Sequence, residues 1–326
     1  MKVLITGATG LVGSEIVRQC QDRKIPVNYL TTSKDKIVTK ADYHGFYWNP
    51  SSGEIDDKCF DGVTAIINLA GASISKRWTS SYKKTILSSR VNTIKTLHKA
   101  VKKQKTLHRA NYDGITSFVS ASAIGVYPDS LSKYYTEAET AIDDSFLGEV
   151  VELWEKEADS FKDFDFSVAK VRIGLVMSDQ GGALPELAKP IKNYVGAAFG
   201  TGEQWQSWIH ISDLARIFLY TVENSLSGIY NGVGPNPVTN AKLVKEIAKV
   251  VDRPLFLPNI PKFVMHTVLG EMAYILFASQ RVSCKKIEEE GFSFSYPNVC
   301  LALEQIYANE QERSASDAVY TKEYSS

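Results

Sequence analysis

Cysteine is scarce in this chain of 326 residues, with four copies, at positions 20, 59, 284 and 300. None forms a C-x-x-C pair, which excludes a zinc ribbon and a disulfide framework and predicts a reducing compartment, the cytoplasm. The five histidines are equally dispersed, so no metal centre is expected. Charge of one sign is lacking too: basic and acidic residues number 37 each. No polybasic tract suits a nucleic acid, and there is no acidic tail. No apolar run reaches bilayer length. The longest, 263–278, contains His266 and Glu271 and predicts a buried or surface-packed helix rather than a membrane partner. Residues 1–5 are too short for a signal peptide and suit a first strand. No internal repeat is found.

What remains is ordinary globular composition, 44% hydrophobic and 23% charged. The length suits one large or two closely joined domains.

One stretch organises the rest: Lys2-Val3-Leu4-Ile5-Thr6-Gly7-Ala8-Thr9-Gly10-Leu11-Val12-Gly13. An apolar run ends in glycines spaced three apart. An amphipathic segment follows, with Leu11, Ile16, Val17 and Cys20 on one face. The pattern predicts strand, tight turn and helix. Such a turn aims unpaired backbone N–H groups and the positive end of a helix dipole at an anion. Gly7 permits the turn, Gly10 lets a pyrophosphate approach the backbone, and Gly13 lets helix and strand pack closely.

Val27 to Thr31 predicts the second strand. Its end would meet an adenosine ribose, where an acid selects NAD and basic or hydroxyl groups select NADP. Ser33 and Lys34 stand there and Asp35 comes late, so NADP is expected, with NAD as the alternative. Lys34 and Lys36 also read as solvated loop charges. The strand 65–71 ends in Leu69-Ala70-Gly71, small enough for a cofactor to lie across. A helix follows over about 80–103, with Arg90 beside its apolar stripe, either solvated or turned to the cofactor. The strand 117–122 carries Ser120 and ends at Ser122, which either bonds a substrate hydroxyl or carbonyl or caps the turn. A helix over 146–161 and a strand over 166–176, with Gly174 at its exit, complete an alternation that predicts a doubly wound parallel α/β sheet.

Beyond Met177 the texture changes. Trp205, Trp208 and His210 read as a substrate-cleft wall or as interdomain packing. Helices are expected near 212–224, 239–251 and 261–278, and a loose tail from 309. The expected division is a dinucleotide-binding domain over 1–176, rejoined by 212–233, and a second domain over 177–211 and 234–308.

The chain resembles the extended or atypical short-chain dehydrogenase/reductase superfamily, and within it the nucleoside-diphosphate-sugar epimerase-like family. The resemblance rests on Thr6 to Gly13, Asn68 to Gly71, Ser88-Ser89-Arg90-Val91-Asn92-Thr93, Ser120 to Gly125, Ser207 to Leu214, Pro235 to Thr239, Leu269 to Met272 and Ala278 to Val282. It implies a Rossmann domain binding NAD(P) and a smaller, mainly helical domain closing over a small-molecule substrate. By position it places Gly7, Thr9, Gly10, Leu11, Val12 and Gly13 at the pyrophosphate and Ser33 and Lys34 at the adenosine 2′ position. It places Leu69, Ala70, Gly71, Arg90, Ser120 and Gly174 along the cofactor, and Ser122 in the active-site Ser/Thr slot. The helix at 80–103 sits where superfamily members often pair, which leaves a homodimer open.

One departure matters. The superfamily's Tyr-x-x-x-Lys pair is missing: no tyrosine of the chain has lysine four residues later. The tyrosine slot falls near Val151, which cannot move a proton. Tyr127, Tyr134, Tyr135, Glu137 and His210 are the nearby substitutes; Tyr127 and His210 from these, with Ser122, form the expected catalytic set. Two functions stay open: an oxidoreductase or epimerase acting on a hydroxyl or carbonyl group, and a dinucleotide-binding regulatory or scaffold protein.

Overall fold

The computed structural model describes residues 1–106 and 114–310. Strand β1 (Val3–Thr6) is wholly buried. Helix α1 (Leu11–Asp22) follows the glycine turn, and β2 (Val27–Thr31) returns parallel to β1. Five more strands join: β3 (Tyr43–Asn49), β4 (Ala65–Asn68), β5 (Ser117–Ala123), β6 (Ser167–Ile173) and β7 (Gly228–Gly232). They lie in the order β3-β2-β1-β4-β5-β6-β7, every neighbouring pair among them parallel, and two-residue strands at 39–40 and 54–55 pair antiparallel with β3 to complete a nine-stranded sheet. The order reverses between β1 and β4, which opens a crevice at their carboxyl ends, where such sheets bind ligands.

The central strands are apolar on both faces because helices cover both. On one face α1 packs against α5 (Ile211–Glu223); on the other α2 (Ser80–Thr106) packs against α3 (Phe146–Ala158). In the second layer Phe118 and Phe161 stack with ring centroids 3.7 Å apart. The sequence pattern did not indicate β3, whose run Tyr-His-Gly-Phe-Tyr-Trp-Asn has no clean alternation. Tertiary contacts hold it. Tyr29 stacks on Tyr43 at 4.5 Å, and a Cβ on Gly45 would come within 2.5 Å of the Tyr29 ring.

A second, smaller core forms from α4 (Ala183–Lys192), α6 (Asn240–Val250) and a helix over 299–310, gathered around Trp208, Met177 and Leu243. Trp208 is fully enclosed there and donates its indole N–H to the Asn236 carbonyl at 2.8 Å. The apolar stretch 263–278, expected as one packed helix, is instead broken at Gly270, whose φ is +61°. The first part, α7 (Lys262–Leu269), buries none of its residues, and Phe263 is 71% exposed. The break turns the following segment onto α2 and α3. Met272 and Ile275 pack around Trp78, Ile86 and Val150, Glu271 pairs with Lys83, and Tyr274 donates to Asp143 at 2.7 Å. The expected loose tail lies, beyond 310, outside the described residues.

Among the described residues no helix is long and apolar enough to cross a membrane, and the four cysteines are free thiols.

Candidate functional site

The crevice begins at the glycine turn. Gly7 has φ +71°, and a Cβ there would lie 3.1 Å from the Leu69 and Ala70 backbone. The Gly10 N–H closes the turn on the Gly7 carbonyl at 2.9 Å. Helix α1 starts at Gly10 with no side-chain cap and no acid in its first turn. Its leading N–H groups are therefore left for an anion. Thr9 and Gly10 are exposed there, while Leu11 and Val12 are half-buried. A Cβ on Gly182 would lie 3.1 Å from Leu11, so the loop entering α4 passes beside the turn.

Below the turn, Thr6 Oγ1 donates to Asn68 Oδ1 at 2.8 Å and accepts the N–H groups of Leu69 and Ala70. Asn68 Nδ2 donates to Ser120 Oγ at 3.1 Å. This chain of bonds bends Leu69-Ala70-Gly71 across the sheet edge. Ser120, expected beside the cofactor, is instead wholly enclosed beneath that edge and spent on Asn68 and the Ala121 carbonyl.

At the end of β2, Thr31 Oγ1 accepts the Ser33 N–H at 3.2 Å. The exposed Lys34 ammonium lies 5.1 Å from the Tyr47 ring centroid. No carboxylate pairs with Lys34 among the described residues, and Asp35 falls within the next turn of 3-10 helix.

At the opposite end, Arg90 lies beneath Gly71, where a Cβ would meet its side chain at 3.2 Å. It donates to the carbonyls of Ala72 and Ile86 and its guanidinium stands 5.0 Å from the Trp154 ring centroid. Burial pushes its pKa down to about 10. Arg90 thus shapes the loop from below. Gly174 is glycine for an internal reason: a Cβ would collide with the Ser207 carbonyl and lie 2.7 Å from Val233.

All three expected catalytic groups are buried and hydrogen-bonded within the fold, at 2% exposure for Ser122, 0% for Tyr127 and 4% for His210. Tyr127 is 0% exposed, donates to Asn231 Oδ1 at 2.7 Å and has its pKa pushed up by burial. His210 caps α5: its Nδ1 accepts the Ser212 N–H at 3.1 Å, its Nε2 meets Gln305 Oε1 at 2.9 Å, and Tyr296 lies against its ring. The fold uses both as structural links.

Ser122 stands in a polar cluster that the sequence reading missed. Its Oγ donates to Glu155 Oε1 at 2.6 Å. Arg172 grips the same carboxylate in two places, Nε to Oε1 at 2.7 Å and Nη2 to Oε2 at 2.9 Å. Ser122 and Arg172 are register partners on β5 and β6, and Glu155 comes down on them from α3. All three are buried, at 2%, 5% and 8% exposure. Burial works to lower the Arg172 pKa, but the bonds and charge of Glu155 outweigh it and the pKa is raised. The signal was there: with Val151, Trp154 and Ala158, Glu155 completes the i, i+3, i+4, i+7 stripe of a buried helix face, and Arg172 sits inside a central strand. Glu155 is also four residues after Val151, in the slot where the superfamily places lysine.

Comparison with known proteins adds three findings. A family model described as the NAD dependent epimerase/dehydratase family matches residues 3–147, and one described as a domain of unknown function, DUF1731, matches 260–306. The chain is 34% identical to epimerase family protein SH2119 of Staphylococcus haemolyticus over 93% of its own length and 98% of the relative's. Epimerase family protein YfhF of Bacillus subtilis is also 34% identical, over 95% and 99%. Among solved structures, human epimerase family protein SDR39U1 with NADPH is similar at 28% identity and a TM-score of 0.80, covering 95% of this chain and all of that one.

Proposed function

The chain belongs to the epimerase family whose name these relatives carry, and from that membership we propose that it is an NADP-dependent oxidoreductase or epimerase. Its substrate carries a hydroxyl or carbonyl group, and nucleoside-diphosphate sugars are the first class to test. The observation that carries this reading is the glycine-built turn whose helix start has neither a capping side chain nor an acid, a cradle suited to a diphosphate. Gly7, Thr9, Gly10, Leu11, Val12 and Gly13 would hold it. Ser33 and Lys34 would take the 2′-phosphate, a role supported by the unpaired Lys34 ammonium and by the absence of an acid at the strand end. Leu69, Ala70 and Gly71 would lie along the middle of the cofactor.

When bound, the dinucleotide would supply hydride exchange at its nicotinamide ring. The chain's own part is positioning. Ser122 would meet the reacting oxygen, and the helices of the second core, with the segment that Glu271 and Tyr274 fasten to the first domain, would exclude water. A second reading, a dinucleotide-binding regulatory protein, is favoured by two facts: Ser122, Tyr127 and His210 are all enclosed, and the Tyr/Lys pair is absent. Calorimetry with NADPH and NADH, followed by turnover assays over a panel of carbonyl compounds and nucleoside-diphosphate sugars, separates the two. Turnover of any panel member supports the enzyme. Tight NADPH binding with silence across the panel supports the regulator.

A further inference from the structure

The cluster of Ser122, Glu155 and Arg172 has a direction built into it. A carboxylate clamped twice by a guanidinium accepts hydrogen bonds and gives none. The Ser122 hydroxyl hydrogen therefore lies on the 2.6 Å line to Glu155, and Ser122 Oγ has only lone pairs left to offer. Such an oxygen receives a hydrogen bond from a substrate hydroxyl; it has none to give to a substrate carbonyl. The Arg172 guanidinium also lies 5.0 Å from the Tyr127 ring centroid. Lys170, two residues before Arg172, is taken by Asp159 at 2.8 Å, and Arg90 faces Trp154. Glu137 is taken by the Asn231 N–H at 2.8 Å. Two buried donors nearby, Arg172 Nη1 and Trp154 Nε1, have no partner among the described residues. A polar network left open in this way is costly unless something else completes it.

We infer that Glu155 is a positioning residue of the reaction: held by Arg172, it fixes Ser122 as an acceptor and takes up, through Ser122, the proton leaving a substrate hydroxyl. The inference rests on the oxidoreductase reading above. In the oxidative direction a bound oxidised nicotinamide dinucleotide would accept the hydrogen of the breaking substrate C–H bond together with its electron pair. The C–O bond becomes a carbonyl, the hydroxyl proton passes to Ser122 Oγ, and the proton of Ser122 passes to Glu155 Oε1. The reverse step returns both protons, as an epimerase requires. The carboxylate thus stands where the superfamily's lysine would, with Arg172 supplying the positive charge from the neighbouring strand.

The test compares NADP+ with NADPH, whose nicotinamide rings differ by one positive charge, by calorimetry on the full-length protein. If the cluster borders the ring, Glu155→Gln leaves the Arg172 charge unmatched and weakens NADP+ relative to NADPH by roughly ten-fold. Arg172→Met leaves the carboxylate unmatched and shifts the ratio the other way. The double substitution, neutral like the native pair, returns the ratio to the wild-type value, and thermal unfolding of each variant reports its fold. Should Glu155→Gln fail to fold, Arg172→Met and the double variant still decide the matter. An unchanged ratio in folded variants that bind both dinucleotides overturns this inference and leaves the proposed function standing. No binding of either dinucleotide by the wild-type protein overturns both.

Discussion

Gly13 lies so close to Gly7 that a Cβ on it would overlap the Gly7 carbonyl oxygen and come within 2.7 Å of the Ala8 Cα. Gly10 is different: a Cβ there would meet only that same oxygen, at 3.2 Å, and its φ of −85° suits any residue. One glycine serves packing, the other leaves room for a ligand. Gly13→Ala is expected to cost about 1–3 kcal/mol of stability in denaturant unfolding. Gly10→Ala is expected to cost under about 1 kcal/mol yet to weaken NADPH at least ten-fold, as judged by calorimetry. Equal effects of both on stability would remove the distinction.

Lys34 gives a separate handle on cofactor choice. Its ammonium is exposed, held over Tyr47 at 5.1 Å, and free of a carboxylate partner among the described residues. A charge-assisted bond to a phosphate contributes roughly 1.5–3 kcal/mol. Lys34→Asp should therefore weaken NADPH about ten- to a hundred-fold while leaving NADH within about three-fold. Parallel losses for the two dinucleotides would show that Lys34 does not read the 2′-phosphate.

The parts of this molecule that were legible in the sequence are local. The turn at Gly7 to Gly13, the buried stripe of α2 and the apolar runs of β1, β4 and β5 each announce themselves within a dozen residues, because period and glycine spacing are short-range signals. β3 is not local in that sense: Tyr43 and Gly45 make a strand only because Tyr29 is there to pack on them. The buried stripe of α3 includes Glu155 but does not show what it meets, because Ser122 and Arg172 lie 33 and 17 residues away along the chain. His210 and Tyr127 present the opposite case. Their chemistry suited a proton donor, but burial and the partners Ser212, Gln305 and Asn231 had already claimed them.

His210 carries a pH dependence whose sign can be worked out. Burial is the chief cause that holds its pKa below the ordinary value, and the Gln305 bond and the charges of Asp213 and Glu15 oppose it without prevailing. The unfolded chain therefore binds this proton more readily than the folded one. The His210 contribution to stability is complete above the unfolded pKa of about 6.5 and is lost as pH falls through the lower folded value. Protonation also fills Nδ1, the atom that accepts the Ser212 N–H. His210→Asn keeps a capping oxygen and cannot titrate. Thermal unfolding of the wild-type protein should fall more steeply than that of the variant below about pH 6.5. Parallel curves would show that some other group titrates.

Between Gly270 and Ala278 the chain meets α2 and the turn into α3 through Glu271, Met272, Tyr274 and Ile275, and the Tyr274 bond is the one that can be removed most cleanly. Its hydroxyl donates to Asp143 Oδ2 at 2.7 Å, and burial, then that bond, raise its pKa, so it remains a donor at every working pH. Asp143 Oδ1 in turn accepts the Ser145 N–H at 3.0 Å, and Ser145 caps α3. The tyrosine thus ties the segment to the helix that carries Glu155. A hydrogen bond to a charged acceptor contributes about 1.5–3 kcal/mol, which is a ten- to hundred-fold change in a local opening equilibrium. Tyr274→Phe keeps the ring and loses only that bond. It should speed amide hydrogen exchange over residues 271–278 by about that factor and leave exchange in β1 and β4 unchanged. If exchange in the sheet rises equally, Tyr274 supports the whole fold; if neither changes, Met272 and Ile275 hold the segment by packing alone.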